Sequence, residues 1–473
     1  MPALGLHWTV LLMVGGYLLL MPRPRGTMRF WLLAPAAIVL LHMLLPWSLV
    51  NLTPGRRLVA HREGLMATVT VSGDADEHRA LHVNNRFQLG GTAAATPEML
   101  QAHLPLLLHA DPRRALFLGV GTGITMEGAT RHPRLHIEGV ELLPEVVDFM
   151  PWFQPYNEQV LRGSNSVIRV ADARRFIRST TGSYDVIVAD LFHPARDGAG
   201  FLYTREHFQA VRRRLEDGGV FCQWIPMTQV DRQVLNIVVR TFMEVFPDAH
   251  AWMLRFNVDA PVIGLVSRLP TSGQGDQWVE DRMTHPPLRD ACEAMSLADT
   301  VRFLGHHLAG PEALRRLTQG APTATDDWPL VSFLAPSFVY RTGVESHQRL
   351  MAWIQEIRAM DKEVDHELEP LGLSDSMRVR LKSYWRARDI YLEGLVYDAQ
   401  DRREAAIEFY LSSARFSQDF TLGYARCLSL ASLLVESDPA KSRRLLNRLQ
   451  KVQPDNPVAD QLHQRLFQNG SQD

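Results

Sequence analysis

The chain has 473 residues, enough for two or three domains, and 46% of them are hydrophobic. Lys and Arg number 50 against 52 Asp and Glu, so there is no basic excess of the kind a nucleic-acid partner requires. The three cysteines, Cys222, Cys292 and Cys427, are widely spaced and form no CxxC pair; this argues against a disulfide framework or a zinc site and reads as reduced, buried thiols.

Residues 4–21 and 30–50 are two almost uncharged apolar runs, each about long enough to cross a hydrocarbon core as a helix. A polar, proline-broken link from Pro22 to Arg29 makes them a transmembrane hairpin over residues 1–52; two buried soluble helices are the alternative. No basic segment precedes the first run, against a cleaved signal peptide. Arg23, Arg25 and Arg29 between the runs balance Arg56, Arg57 and Arg62 beyond them, so loop charge does not orient the hairpin.

Residues 58–96 alternate as a small antiparallel β unit, with strands expected near 65–71, 80–83 and 86–89 and turns at Gly73-Asp74 and Asn84-Asn85. A helix over 97–109 leads into short apolar strands that alternate with amphipathic segments, the pattern of a doubly wound, Rossmann-like, methyltransferase-type α/β sheet. Parallel strands are expected at 115–120, 135–140, 167–171, 184–189 and 219–223, then an antiparallel pair at 250–256 and 262–267, with helices at 204–215 and 230–245. This domain runs over 97–340, although 270–345 is hard to read. Residues 346–473 are helical. The segments 403–414 and 440–449 carry apolar residues at helical spacing, as in a tetratricopeptide-like hairpin pair or a plain bundle; such a surface is a candidate for a protein partner.

The strand ends carry the chemistry. The first expected strand runs into Gly119-Val-Gly121-Thr122-Gly123, where missing side chains let backbone approach a ligand. The second ends at Glu141, at the spacing where an acid accepts from ribose hydroxyls; a solvated strand-end carboxylate is the bland alternative. The third ends in Asp172-Ala173, where an acid can accept from an adenine amine or simply cap the next helix. The fourth ends at Asp190, placed to take a proton from an attacking amine or to serve a turn before His193-Pro194. A dinucleotide fingerprint wants another glycine where this chain has Ile124, which favours an adenosylmethionine-type ligand over NAD.

Together with Gln88, Leu104-Pro105, the Leu202-Tyr-Thr-Arg-Glu-His-Phe208 segment and the Gly218-Gly-Val-Phe-Cys-Gln-Trp224 strand, this order of motifs resembles the spermidine synthases (polyamine aminopropyltransferases), most of all their bacterial membrane-anchored members. The resemblance covers about residues 60–335. It implies aminopropyl transfer from decarboxylated S-adenosylmethionine to putrescine or a related amine, with no tightly bound cofactor and no metal. It implies Glu141 on ribose, Asp172 on adenine, Asp190 on the attacking amine and Gln88 at the pocket entrance. A bacterial inner-membrane location, a cytoplasmic catalytic domain and a homodimer are further expectations.

The departures from the family lie in its amine half. An acid of its glycine motif is Thr122 here, the second acid of its Asp-x-x-Asp-Pro is His193, an expected Tyr-Gln pair gives way to Pro97-Glu98, and a late tyrosine falls near Val258. Glu98, Asp197 or Glu206 could substitute, but spacing does not place them. An S-adenosylmethionine-dependent methyltransferase of the same fold and a non-catalytic membrane scaffold are the competing readings.

Overall fold

Strands that are apolar at consecutive positions need cover on both faces, the condition of a parallel sheet packed between helices. Ala115-Leu-Phe-Leu118 and Val186-Ile-Val-Ala189 are such segments, and every one of these residues is buried. The computed structural model describes residues 5–20, 37, 40, 50–85, 87–196, 198–267, 278–283, 286–297, 299–339, 346–359 and 369–467.

Four strands, β1 (Arg57–Glu63), β2 (Thr68–Gly73), β3 (Arg79–Val83) and β4 (Phe87–Gly91), form an antiparallel sheet in chain order. The expected strand at 65–71 starts only at Thr68, and Leu65 and Met66 stand exposed before it. Its partner β1 carries Arg57, Arg62 and Glu63, which mask its alternation.

The main sheet has eight strands: β5 (Arg114–Leu118), β6 (His136–Glu141), β7 (Ser166–Val170), β8 (Tyr184–Ala189), β9 (Leu215–Pro226), β10 (His250–Met253), β11 (Val262–Val266) and β12 (His307–Ala309). Their order is β12-β10-β11-β9-β8-β5-β6-β7. β9, β8, β5, β6 and β7 are parallel neighbours, whereas β11, β10 and β12 extend the sheet antiparallel. The Rossmann-like α/β fold is therefore present with a mixed sheet. Two features were not foreseen. β9 is 12 residues long, and β12, only 3 residues, is too short to show a period.

Successive residues of a strand face opposite sides. Phe117, Val188 and Cys222 join one core layer; Leu116, Ile187 and Phe221 join the other. The helix Ala95–Leu107 covers the first face, where Trp224 Nε1 donates to Gln101 O at 3.1 Å. The helices Arg205–Arg212 and Arg232–Val245 cover the second, around Phe208, Phe221, Phe242 and Phe246.

The transmembrane hairpin expected at 1–52 is not supported. The first apolar run forms the helix Gly5–Leu20, of 16 residues. The second, apart from residues 37, 40 and 50, lies outside the described residues. Among the described residues no helix is long and apolar enough to cross a membrane.

The C-terminal region is helical, with Asp375–Ala399, Arg403–Phe416, Leu422–Ser437, Pro439–Val452 and Val458–Phe467 in succession. The first of these grips the edge of the main sheet. Buried Arg388 donates through Nη1 to Gly305 O at 2.8 Å and to His307 O at 2.7 Å, and through Nε to Asp389 Oδ1 at 2.8 Å. Arg358 Nε reaches the other oxygen of Asp389 at 2.7 Å. The Tyr384 ring lies where a side chain at Gly305 would go, its Cε1 only 2.2 Å from the place a Cβ would take. Removing one member of a buried charged cluster leaves its partners unpaired, at about 3 kcal/mol. Arg388→Met is thus expected to lower stability by roughly that much, read by urea denaturation; an unchanged midpoint would mean the clamp contributes nothing.

Candidate active site

A cavity of about 640 Å³ opens at the carboxyl edge of the parallel strands. Gln88, Gly119, Gly121, Thr122, Glu141, Asp172, Ala173 and Asp190 all line it. Gly123 does not: a side chain there would meet Met150 and Asn157.

The bend after β5 is built by backbone that L-residues resist, with Gly119 at φ +86° and Gly121 at φ +53°. A Cβ at Gly119 would come within 3.3 Å of Asp190 Cβ and 3.2 Å of the Phe192 ring. Glycine keeps the space beside Asp190 open.

Glu141 closes β6 and is buried. Its Oε2 accepts from the amides of Val120 and Gly121 at 3.1 Å each, and its Oε1 from Leu143 N at 3.0 Å. Each carboxylate oxygen has two acceptor positions, so capacity remains for a ligand hydroxyl. Asp172 does cap the next helix, its Oδ1 accepting from Arg175 N at 2.8 Å. That bond occupies one oxygen of an exposed side chain that also lines the cavity, so capping and ligand contact are compatible. Gln88 sits exposed on β4 at the mouth.

Asp190 follows β8 and accepts from Leu191 N at 2.7 Å. Burial pushes its carboxyl up to about 7; the Leu191 amide opposes the rise and the Glu141 charge adds to it.

Glu98 is the residue that spacing could not place. It projects from the helix Ala95–Leu107 into the cavity wall. Its oxygens accept from Gly91 N and from the Thr122 hydroxyl, each at 2.8 Å. Burial pushes it up to about 8, the two hydrogen bonds offset part of this, and Asp190 adds to it. Of the other candidates, Glu206 is committed to Arg205 and to the Asp326 amide, away from the cavity; Asp197 lies outside the described residues.

His193 occupies the expected position of a second acid. Its Nε2 lies 3.1 Å from Gln88 O, and its Nδ1 faces the Gln229 amide nitrogen. A carbonyl only accepts, so the proton on Nε2 points to Gln88 O; with the Gln229 nitrogen toward Nδ1 the ring is neutral. Burial lowers its proton affinity in the same sense.

Glu98 and Asp190 both titrate above their unfolded values of 4.5 and 3.8. A carboxyl with a raised folded pKa favours the native state at low pH and loses that advantage as pH rises through the folded value. The empty protein is expected to lose stability between about pH 4 and pH 8. Glu98→Gln removes one contributor, so its melting temperature relative to the unsubstituted protein should improve between pH 6 and pH 9; a constant difference would contradict the burial of a titrating Glu98.

Comparison with known proteins comes to the same domain. Residues 94–255 match the spermine/spermidine synthase domain. A polyamine aminopropyltransferase of Nitrosomonas europaea is 30% identical over 146 residues, covering 30% of this chain and 45% of the relative. Putrescine N-methyltransferase 1 of Nicotiana tabacum is 28% identical over 208 residues, covering 42% of this chain and 54% of the relative. The chain thus spans about half the length of the curated relatives it matches. A spermidine synthase crystallised with the transition-state analogue AdoDATO aligns over 60% of this chain and 87% of its own, at 17% identity and a TM-score of 0.41. Residues 94–255 thus carry a spermine/spermidine synthase domain, and over this stretch the chain is similar to polyamine aminopropyltransferases.

Proposed function

We propose that the protein transfers an aminopropyl group from decarboxylated S-adenosylmethionine to an amine. The observation that carries this is Asp190: a carboxyl pushed up to about 7, in one cavity with the glycine bend and Glu141. In the reaction a neutral amine attacks the carbon next to the sulfonium. The new C–N bond forms as the C–S bond breaks, methylthioadenosine leaves as a neutral thioether, and the product nitrogen sheds one proton. A base whose pKa lies near the working pH is best matched to take that proton, and Asp190 has that character.

In this reading the glycine bend and Glu141 hold the ribose side, the free oxygen of Asp172 takes the adenine amine, and Ala173 and Thr122 complete the wall. Gln88 borders the entry. Asp190, once it has lost its proton, lends negative charge toward the cationic sulfur, and Glu98 stands beside it in the cavity wall. The alternative, methyl transfer from S-adenosylmethionine, is favoured by one feature: the hydroxyl of Thr122, in place of an acid, would not repel a donor that keeps its carboxylate.

Thermal shifts of the purified protein with methylthioadenosine, S-adenosylhomocysteine and NAD separate the readings. Stabilisation by methylthioadenosine is expected; stabilisation by S-adenosylhomocysteine alone would remove aminopropyl transfer in favour of methyl transfer. Asp190→Asn should lower kcat by about 10²–10⁴ with methylthioadenosine binding retained. In the unsubstituted protein, kcat should rise with pH through about 7 as Asp190 loses its proton; a pH-independent kcat would exclude Asp190 as the base.

A further inference from the structure

The cavity is electrically divided. Its acidic lining residues, Glu98, Glu141, Asp172 and Asp190, come from the helix Ala95–Leu107 and from the ends of β6, β7 and β8. On the other side of β8 the sheet continues through β9, β11 and β10, and no carboxylate is found there among the described lining residues. The position where a second acid was expected is a neutral imidazole. The charged side chain that lines this end, on the loop just beyond β10, is Arg255.

Arg255 is half-buried, and none of its contacts is an ion pair within 4 Å among the described residues. With the Asn257 amide turned so that its oxygen faces the guanidinium, Oδ1 accepts from Nε at 3.2 Å and from Nη2 at 2.9 Å. A guanidinium has five donors, so most remain unused. Asp259, exposed on the same loop, acts on it only at longer range. Of the two other arginines that line the cavity, Arg174 is already paired with Asp326, and Arg196 lies on the loop after β8, where its charge acts on His193.

The neighbouring residue fixes this loop. Phe256 stacks on His306 with ring centres 4.6 Å apart and packs against Tyr384 and Phe420 at 6.2 and 5.4 Å. The guanidinium is therefore carried on a segment wedged against the C-terminal helices.

Resting on the group-transfer reading above, we propose that the β10 end of the cavity binds a carboxylate through Arg255, so that the acceptor is an amine that also carries a carboxylate rather than a diamine. A diamine would bring its distal ammonium toward an arginine with no acid to neutralise it, a costly arrangement in a partly buried site. An aminocarboxylate supplies the missing anion, and the planar guanidinium can hold it through two parallel bonds.

The test uses the full chain with decarboxylated S-adenosylmethionine and, as acceptors, putrescine, 4-aminobutyrate and ornithine, with products read by mass spectrometry. A higher kcat/KM for the aminocarboxylates is expected. Arg255→Gln should raise their KM by about tenfold or more and leave the methylthioadenosine thermal shift and the donor KM unchanged. Arg255→Lys should restore part of the loss, and Arg255→Glu should turn preference toward putrescine. A preference of the unsubstituted protein for putrescine overturns the proposal, as does an unchanged acceptor KM in a normally melting Arg255→Gln. A change confined to the donor KM also overturns it, and assigns Arg255 to the donor. If methylthioadenosine binds but no aminocarboxylate is modified, this inference fails while the nucleoside reading stands; if methylthioadenosine does not bind, the underlying reading fails with it.

Discussion

One carboxylate holds the site together. Glu141 ends β6 but spends its charge on the amides of Val120 and Gly121 after β5, and on Leu143 after its own strand. Backbone donors in a tight left-handed bend have no strand or helix partner of their own, and buried donors without partners are costly. The acid supplies the acceptor, and the glycines supply the conformations that let those amides converge on it. Two adjacent parallel strands are tied at the edge where a ligand would rest. The same negative charge helps keep a proton on Asp190.

The cavity is thus organised by how protons are shared as much as by shape. Glu141 is satisfied by backbone, whereas Asp190 and Glu98 are short of compensation and hold their protons toward neutrality. The Thr122 hydroxyl, with Gly91, settles the Glu98 carboxyl in place, so a residue that looks like a lost acid in the sequence instead supports an acid arriving from another helix. His193 is locked between Gln88 and Gln229 and adds no charge. Negative character gathers under the glycine bend, and the opposite end of the cavity is left to arginine.

Much of this was visible in the linear chain because the main strands announce themselves as apolar runs that stop at a glycine or an acid. That rule located β5, β6, β7 and β8 and the residues Gly119, Glu141, Asp172 and Asp190 at their ends. What escaped it depends on chain crossings. Glu98 meets Thr122 across 24 positions and Gly91 across 7, distances along the chain that carry no periodic signal. β12 is recognisable only as the partner of β10. Arg255 was absorbed into an expected strand at 250–256, but the strand stops at Met253; beyond it the chain is bent away so that Phe256 can reach rings on three other segments. The hairpin expected from hydropathy at the N-terminus finds no support in the described helix Gly5–Leu20, and most of the second apolar run lies outside the described residues.

The ring of Phe256 has a mechanical consequence. It rests on His306 beside β12, on Tyr384 of the long helix and on Phe420 between two later helices. A molecule pressing on Leu254 or Arg255 must therefore push against three anchored aromatics, so this end of the chamber is braced. The helical annex acts there as a backstop, and a shift of a single turn in its packing would change how deep a guest can seat.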